Sequence, residues 1–301
     1  MKAVVLKGYG DVDVLAVQEM PEPKVGPGEV KVRVTAASIN PVDWKIRRGD
    51  MKGRMDLKFP TILGRDVAGE VVEVGTGVES FEPGDRVMGL VNAGYAETVV
   101  APTEAWAKVP DTLDLRDAAA LPLVALTGTQ LIEEHVRPSQ GETVLVTGAL
   151  GAVGRSAVFA ARARGARIWA GVRKKQVEEA RKLGVDGVVA LDDPKDVAKL
   201  PTLDAVADTV GGEAVAAVLG KVKHGGTVGT VVGEPKGAKE KGLVVRSFMA
   251  HPDAHRLEQI AQSAAKGELV IPISRTFKLD DAREAQKVAE QGGVGKVLLV
   301  N

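Results

Sequence analysis

Three glycines at a spacing of three residues follow a short apolar run, and this arrangement suits phosphate binding. Residues 144–147 are apolar and rich in β-branched side chains, which is typical of a strand buried on both faces. Gly148, Gly151 and Gly154 come next and lead into a run of small, helix-compatible residues. Glycines let the backbone approach a diphosphate closely, and the free N–H groups of a helix start attract its charge. The alternative is a plain strand-to-helix turn without a ligand, which the strand–turn–helix context disfavours.

Positive side chains at the end of the next predicted strand, 167–172, predict which dinucleotide the turn binds. NAD-binding proteins place an acidic residue about 20 residues after the glycine turn to hold the ribose 2′-hydroxyl. Here that neighbourhood contains Arg173, Lys174 and Lys175, and no acidic residue occurs before Glu178. Arg173 with Lys174 or Lys175 could pair with a 2′-phosphate, and cations at a helix start are unfavourable unless an anion lies near. We therefore predict NADPH, with three solvated cations as the alternative.

A second group of polar residues lies between two predicted strands near the N-terminus. Asn40, Asp43 and Lys45 follow one another at spacings of three and two. On a helical turn, Asn40 and Asp43 share a face whereas Lys45 points elsewhere. The alternatives are a catalytic group and a capped turn at the surface.

The elements that carry these residues alternate differently in the two parts of the chain. Short strands at Lys2–Leu6, 29–37, 67–74 and 86–89, separated by Gly and Pro corners, predict a small β-barrel. After residue 116, strands alternate with helices, which predicts a doubly wound parallel sheet. The carboxyl ends of its strands should line the coenzyme crevice. The positions predicted there outside the glycine turn and the basic residues are Leu191, Asp208, Thr209, Val210, Val231, Val232 and Gly233.

Helix signals frame the second part of the chain. Asp117 is predicted to cap a helix that Pro122 kinks or breaks. Residues 251–266 predict an amphipathic helix that places His251 and His255 one turn apart. With no third ligand in view, we favour a surface helix over a metal site.

The amino-acid composition excludes several classes of function. The 301 residues suggest two domains, and the chain contains no Cys, which excludes disulfides, thiolate catalysis and Cys-ligated zinc. Forty basic residues balance forty acidic residues, and only 3% of residues are aromatic, so a nucleic acid or membrane partner is not expected. No signal peptide or membrane-spanning stretch is visible, which predicts a soluble cytoplasmic protein.

Several motifs in order resemble one enzyme family. Residues 64–75, 83–87 and 118–127, together with the glycine turn, resemble the medium-chain dehydrogenase/reductases, in their zinc-independent quinone oxidoreductase (zeta-crystallin-like) branch. The resemblance extends to the final run 295–300. It implies a GroES-like β-barrel catalytic domain at 1–115, an NADP-binding Rossmann domain at 116–250, and a C-terminal segment, 251–301, that returns to the catalytic domain. It also implies a homodimer.

Departures from the family pattern predict that no metal is bound. Zinc-dependent members carry a Cys at position 40 and a His-Glu pair at positions 65 and 66, whereas this chain has Asn40, Arg65 and Asp66. An arginine cannot ligate zinc, and an asparagine is a poor ligand for it. Without zinc, nothing activates an alcohol for oxidation. Hydride transfer to an already activated, conjugated acceptor stays feasible, so the resemblance implies the NADPH-dependent reduction of a quinone or an α,β-unsaturated carbonyl.

The resemblance also implies residue roles. Thr127 would face the nicotinamide, with a hydroxyl that bonds back to its own helical turn as the alternative. Lys45, at a position where a tyrosine is common, would stabilise the oxyanion of the product. Asn40 would orient the ring or the substrate, and Asp43 would hold Lys45 or the nicotinamide ribose. A family tyrosine near the third strand is replaced by Leu191. The remaining coenzyme positions are those of the glycine turn: Gly148, Ala149, Gly151, Ala152, Val153 and Gly154.

Two other functions stay open from sequence alone. One is the reduction of a 2-enoyl thioester, which would need a basic groove. The candidate cluster for that groove is Arg47, Arg48, Lys52 and Arg54, with a solvated loop as its alternative. The other is a non-catalytic NADPH-binding sensor or structural protein.

Overall fold

The computed structural model describes all 301 residues, Met1–Asn301, and the chain divides into two units of dense internal contacts. The first unit combines Met1–Leu123 with Pro252–Asn301, and the second is Val124–His251. The domain limits 1–115, 116–250 and 251–301 stay predictions. No helix in the structure is both long and apolar enough to cross a lipid bilayer.

The elements are numbered in chain order. The strands are β1 (Lys2–Leu6), β2 (Leu15–Glu19), β3 (Glu29–Ser38), β4 (Thr61–Ile62), β5 (Asp66–Val74), β6 (Arg86–Leu90), β7 (Thr98–Pro102), β8 (Trp106–Lys108), β9 (Thr143–Thr147), β10 (Arg167–Val172), β11 (Gly187–Ala190), β12 (Leu203–Asp208), β13 (Val222–Thr230), β14 (Val244–Ser247), β15 (Ile273–Lys278) and β16 (Lys296–Val300). The α-helices are α1 (Pro41–Arg48), α2 (Leu115–Ala119), α3 (Pro122–Gln130), α4 (Ala152–Ala163), α5 (Val177–Arg181), α6 (Pro194–Val197), α7 (Gly212–Ala216), α8 (Ala254–Ala265) and α9 (Ala282–Glu290). A π-helical segment, Leu131–Val136, continues α3.

The first unit is built on β-sheets. Its larger sheet has the order β15-β16-β3-β5-β6-β8, with β7 also paired to β3, and a three-stranded sheet has the order β2-β1-β4. Along β3 the buried residues Val30, Val32 and Val34 alternate with more exposed ones, as expected for a strand with one face in the core. The C-terminal strand β16 pairs antiparallel with β3. The last residues of the chain therefore lie beside the strand that leads to Asn40.

The second unit contains a six-stranded parallel sheet in the order β11-β10-β9-β12-β13-β14. This is the doubly wound order: strands β9 to β11 are added toward one edge of the sheet and strands β12 to β14 toward the other, so the order of winding switches between β9 and β12. The centre of β9 is fully buried, because helices cover both faces of such a sheet. The predicted parallel sheet is confirmed.

One strand of this sheet was missed, and its neighbour was misplaced. The sequence suggests that 227–232 could lie at a sheet edge, but β13 lies between β12 and β14, so this prediction is wrong. The edge strand is β14, which is short and largely exposed, so that it lacks the continuous apolar run that marks buried strands.

Two helix starts also differ from the prediction. Asp114, not Asp117, caps α2, because the Asp114 carboxylate accepts a hydrogen bond from the N–H of Arg116 (2.7 Å). The predicted break at Pro122 is confirmed, since α3 begins there. Helix α8 begins at Ala254 behind the Asp253 cap, so His251 lies outside it and does not share a helical turn with His255.

Candidate functional site

The glycine turn after β9 is as tight as its sequence indicates. Gly148 has a φ of +64°, and a Cβ there would lie 2.6 Å from Val210 Cγ2. A Cβ at Gly154 would lie 2.1 Å from the carbonyl oxygen of Gly148. No other residue type fits position 154 unless the turn moves away from α4. These two glycines therefore fix how closely the helix start approaches the end of the strand.

The start of α4 can receive an anion. Gly151 is the N-cap residue, and no side chain caps the helix, so the N–H groups of the first turn have no side-chain acceptor. Ala152 and Val153 are half-buried, and the helix dipole is positive at this end. These residues fit a diphosphate. Ala149 is fully buried, and its N–H points to the carbonyl oxygen of Gly171 (3.4 Å), so it supports the turn from behind.

A buried aspartate joins the other predicted coenzyme residues to this turn. The carboxylate of Asp208, at the end of β12, accepts hydrogen bonds from the hydroxyl of Thr147 (2.7 Å) and the N–H of Gly211 (2.9 Å). The hydroxyl of Thr209 donates to the carbonyl oxygen of Thr147 (2.7 Å). The Thr209 side chain is thus engaged with the end of β9. Asp208, which the sequence also predicts at the crevice, joins the ends of β9 and β12.

Val231 and Gly233 follow β13 at the same sheet edge. The N–H of Val231 donates to the carbonyl oxygen of Asp208 (3.2 Å). The hydroxyl of Thr230 lies 3.1 Å from Asp208 Oδ2 and 3.0 Å from the carbonyl oxygen of Gly233. The structure therefore brings Thr209, Val231 and Gly233 together around one buried carboxylate.

The basic pair after β10 is only partly available. Lys174 Nζ forms an ion pair with Asp193 (2.9 Å), and this hydrogen bond raises the pKa of Lys174. Arg173 is exposed and its guanidinium pairs with no acidic residue. The Leu191 side chain packs at Gly171, where a Cβ would lie 2.9 Å from Leu191 Cδ1. Arg173 is therefore the cation of this pair that an incoming phosphate would meet unpaired.

In the first unit, Asn40 and Asp43 form the start of α1. Asp43 Oδ2 accepts a hydrogen bond from the N–H of Asn40 (2.8 Å), which is half of a capping box. Asn40 and Asp43 are buried, at 0% and 1% exposure. The predicted cap is therefore present, but its predicted position at the surface is wrong.

Asp43 has a different partner from the one expected. The hydroxyl of Tyr95 donates to Asp43 Oδ2 (2.6 Å), while Asp43 Oδ1 is buried without a hydrogen-bond partner. Burial raises the pKa of Asp43 to about 6. Lys45 is exposed, so the predicted contact of Asp43 with Lys45 is wrong. Two residues along a helix correspond to about 200° of rotation, which separates the two side chains.

Lys296, at the start of β16, is the residue that sequence reasoning missed here. Its side chain is only 6% exposed. Its ammonium group donates to Asn40 Oδ1 (2.6 Å) and to the carbonyl oxygen of Ile39 (3.1 Å). Burial lowers the pKa of Lys296, and the negative charges of Asp66 and Asp43 oppose this shift. The available signal was a lone lysine at the start of an apolar strand.

Asp66 completes the buried cluster. Asp66 Oδ2 accepts from Asn40 Nδ2 (2.8 Å) and Ser38 Oγ (2.7 Å) and lies 3.7 Å from Lys296 Nζ. Asp66 Oδ1 accepts from the N–H of Leu123 (2.8 Å). The Asn40 side chain thus uses its oxygen to bind Lys296 and its nitrogen to bind Asp66. Neither polar atom is left for the predicted contact with substrate.

A zinc ion does not fit these residues. Asn40 and Asp66 already bind the Lys296 ammonium group, whose charge would repel a metal cation, and Asp66 has both oxygens engaged. The structure contains no cluster of three or more His, Cys, Asp or Glu side chains placed to hold a metal.

Thr127 belongs to the second unit, whereas Asn40, Asp43 and Lys45 belong to the first. Thr127 lies in α3 and is 9% exposed. A Cβ on the adjacent Gly128 would lie 2.6 Å from the carbonyl oxygen of Val153, so α3 packs directly on the first turn of α4.

The predicted basic cluster is not assembled. Arg47 is fully buried and contacts Glu290, Gln286 (2.7 Å) and the carbonyl oxygen of Gly10 (2.9 Å). Arg48 is paired with the same Glu290 (2.6 Å). These bonds tie α1 to α9. With two of its four cations neutralised, the groove expected for a thioester carrier is not supported.

Two family models match the chain. The model described as "Alcohol dehydrogenase GroES-like domain" matches residues 26–111, and that described as "Zinc-binding dehydrogenase" matches residues 183–299. The chain is 30% identical over 305 residues to the chloroplast envelope quinone oxidoreductase homolog of Arabidopsis thaliana, which covers 93% of this chain and 92% of that protein. It is 31% identical over 354 residues to the mitochondrial NAD(P)H oxidoreductase RTN4IP1 of Mus musculus, with coverage of 100% and 89%.

Among solved structures, the quinone oxidoreductase from Coxiella burnetii superposes with a TM-score of 0.90 at 28% identity, covering all of this chain and 99% of that one. The extent of these matches, the two family models and the strand order agree with one another. The chain therefore belongs to the medium-chain dehydrogenase/reductase superfamily, in its quinone oxidoreductase branch.

Proposed function

We propose that this protein is an NADPH-dependent, zinc-independent reductase that transfers a hydride to quinones or α,β-unsaturated carbonyls. The observation that carries the proposal is the uncapped start of α4 behind the turn 148–154, at the switch point of a parallel sheet. Relatives along nearly the whole chain are named quinone oxidoreductase and NAD(P)H oxidoreductase.

The coenzyme would be held by the second unit. The N–H groups of Ala152 and Val153 would bind the diphosphate, and the guanidinium of Arg173 would bind the 2′-phosphate. Thr127 is proposed at the nicotinamide end. When bound, the reduced nicotinamide supplies the hydride.

Of the three polar residues at the start and in the body of α1, two would position the helix and one would contact the substrate. Asn40 and Asp43 are buried, so we assign them the task of fixing the start of α1. The Lys296 ammonium group hydrogen-bonds to Asn40 and is the internal counter-ion of Asp66. Lys45, three residues from the C-terminal end of this helix, presents an exposed positive charge that would stabilise an oxyanion.

The same cluster supports the proposed zinc independence. The Lys296 ammonium group, bonded to Asn40 and 3.7 Å from Asp66, offsets buried negative charge without a metal. Elemental analysis of the purified protein tests this, with far less than one zinc ion per chain expected. A stoichiometric, tightly held zinc ion would contradict it.

The deciding assay follows NADPH and NADH oxidation side by side with 1,4-benzoquinone, an enone and a 2-enoyl thioester. We expect turnover of the first two and a preference for NADPH. Arg173→Ser should lower kcat/KM for NADPH about tenfold and leave the value for NADH unchanged, because a charge-assisted hydrogen bond to the 2′-phosphate is lost. Lys182→Ser, which removes an exposed lysine of the same unit, is the control. Tight NADPH binding without turnover of any acceptor would favour the sensor alternative instead.

We also propose a homodimer that forms through β14, the exposed edge strand of the parallel sheet. A cytoplasmic location stays a prediction, which cell fractionation tests.

A further inference from the structure

The backbone around Arg65 is held rigidly. Gly64, with a φ of +102°, accepts a hydrogen bond from the N–H of Gly94 (3.1 Å), and the carbonyl oxygen of Arg65 accepts one from the N–H of Val91 (2.8 Å). Asp66, the next residue, is fixed in the buried cluster. Hydrogen bonds before and after Arg65 therefore fix the position of its backbone, from which the side chain extends.

The Arg65 side chain itself is unpaired. It is half-buried, its Nε atom is buried without a hydrogen-bond partner, and no acidic residue forms an ion pair with it. Arg47 shows the contrast, since its guanidinium contacts an amide, a carbonyl oxygen and a carboxylate. A buried guanidinium N–H without an acceptor costs stability, so its retention calls for an explanation outside the folded chain.

A substrate oxygen supplies that explanation. A planar guanidinium donates well to an anionic oxygen, and a partly desolvated cation interacts more strongly with charge than one in water. Lys45, in the same unit, is exposed and screened by solvent. Of the two cations, Arg65 is the better prepared to stabilise a charge that appears only during the reaction.

We propose that Arg65 binds the oxygen atom that becomes negatively charged when the carbonyl substrate is reduced. This inference rests on the function proposed above. Addition of hydride would form a C–H bond at the β-carbon of the conjugated acceptor and break the donor C–H bond of a reduced nicotinamide, which is thereby oxidised. The C=C π pair of the acceptor would shift toward the carbonyl carbon, and the carbonyl π pair would move onto oxygen. The oxyanion formed there accepts hydrogen bonds from the Arg65 guanidinium and then takes a proton from solvent.

Kinetics of matched variants provide the first test. With 1,4-benzoquinone as acceptor, Arg65→Met should lower kcat roughly 100-fold with little change in the KM for NADPH, and Arg65→Lys should restore part of the loss. Lys45→Met should cost less than Arg65→Met. Arg54→Met removes an exposed arginine with no such environment and should leave kcat unchanged. Wild-type kcat in Arg65→Met overturns the proposal.

A binding experiment without coenzyme separates this inference from the proposed function. 4-Nitrophenol changes absorbance when it ionises, and a site with an unpaired guanidinium should favour the bound phenolate. We expect the wild type and Arg54→Met to lower its apparent pKa and Arg65→Met to leave it unchanged. The same pKa in wild type and Arg65→Met overturns the role of Arg65. Phenolate binding without turnover of any acceptor would reject the proposed reaction while upholding the anion site.

Discussion

At the scale of single residues, the buried cluster of the first unit sets two acids against one ammonium group. Asp43 and Asp66 share the negative charge, and Lys296 is the cation bonded to Asn40 between them. Asp66 has hydrogen-bond donors on both oxygens, whereas one oxygen of Asp43 has none. Asp43 is therefore the member whose charge is stabilised least, and burial raises its pKa.

Asp43 makes the stability of the protein depend on pH. Its pKa rises from 3.8 to about 6 on folding, so the folded state holds the proton more tightly than the unfolded chain does. The resulting stabilisation is complete below pH 3.8 and is lost as the pH rises through about 6. Asp43→Asn should remove this component, which is on the order of 1–3 kcal/mol between pH 4 and pH 7.

Denaturant unfolding at a series of pH values measures this effect. The slope of unfolding free energy against pH, compared between wild type and Asp43→Asn, should be flatter in the variant. Asp50→Asn changes an exposed acid near the end of the same helix and should keep the wild-type slope. Parallel curves for Asp43→Asn and wild type would show that Asp43 keeps an ordinary pKa.

At the scale of elements, the contact between the turn after β9 and α4 is the arrangement on which the proposed coenzyme site depends. Asp208 and its threonine partners fix the end of β9 from one side. Glycine at 154 lets the helix start approach from the other side. The proposed diphosphate site thus depends on two elements and on the hydrogen bonds between the strand ends.

Gly154→Ala tests that contact. The new methyl group would lie 2.1 Å from the Gly148 carbonyl oxygen, so the turn must open and the first N–H groups of α4 must move. We expect NADPH affinity to fall at least tenfold by titration calorimetry, together with a lower Tm. Gly220→Ala, where a Cβ meets nothing within 4 Å, should bind NADPH like the wild type. Unchanged affinity in Gly154→Ala would mean that the diphosphate binds elsewhere.

At the scale of the whole molecule, the open edge of the parallel sheet is the feature that the proposed dimer would cover. Strand β14 pairs with β13 on one side only, and Val244 on it is 44% exposed. An unpaired edge with apolar side chains favours association with a second strand.

Val244→Lys should therefore weaken the proposed dimer, because a lysine at a strand edge opposes edge-to-edge pairing. Sedimentation velocity should show a dimer for the wild type and a shift toward monomer for the variant. Val270→Lys, at a valine 58% exposed in the first unit, should stay dimeric. A monomeric wild type would refute the dimer, and a dimeric Val244→Lys would place its interface away from β14.

Features that depend on neighbouring residues could be predicted from the sequence alone. The glycine turn, the parallel strands β9 to β12 and the first strand β1 follow from local patterns of apolar residues, glycines and prolines, and the structure confirms them. Strand β14 could not be predicted from the sequence, because an exposed edge strand needs no continuous run of apolar residues.

Only the tertiary structure decided what the polar residues of the candidate site bind. Lys296 meets Asn40 across 256 positions of sequence, and Arg47 meets Gln286 across 239. Such pairs form because β16 adds to β3 and α9 packs beside α1, and no local pattern records a partner so far away. The sequence by itself therefore determined the family and the glycine turn. Folding decided that Asn40 and Asp43 are buried, that Lys296 pairs with Asp66 beside them and that Arg65 is left unpaired, because burial and charge pairing depend on long-range packing.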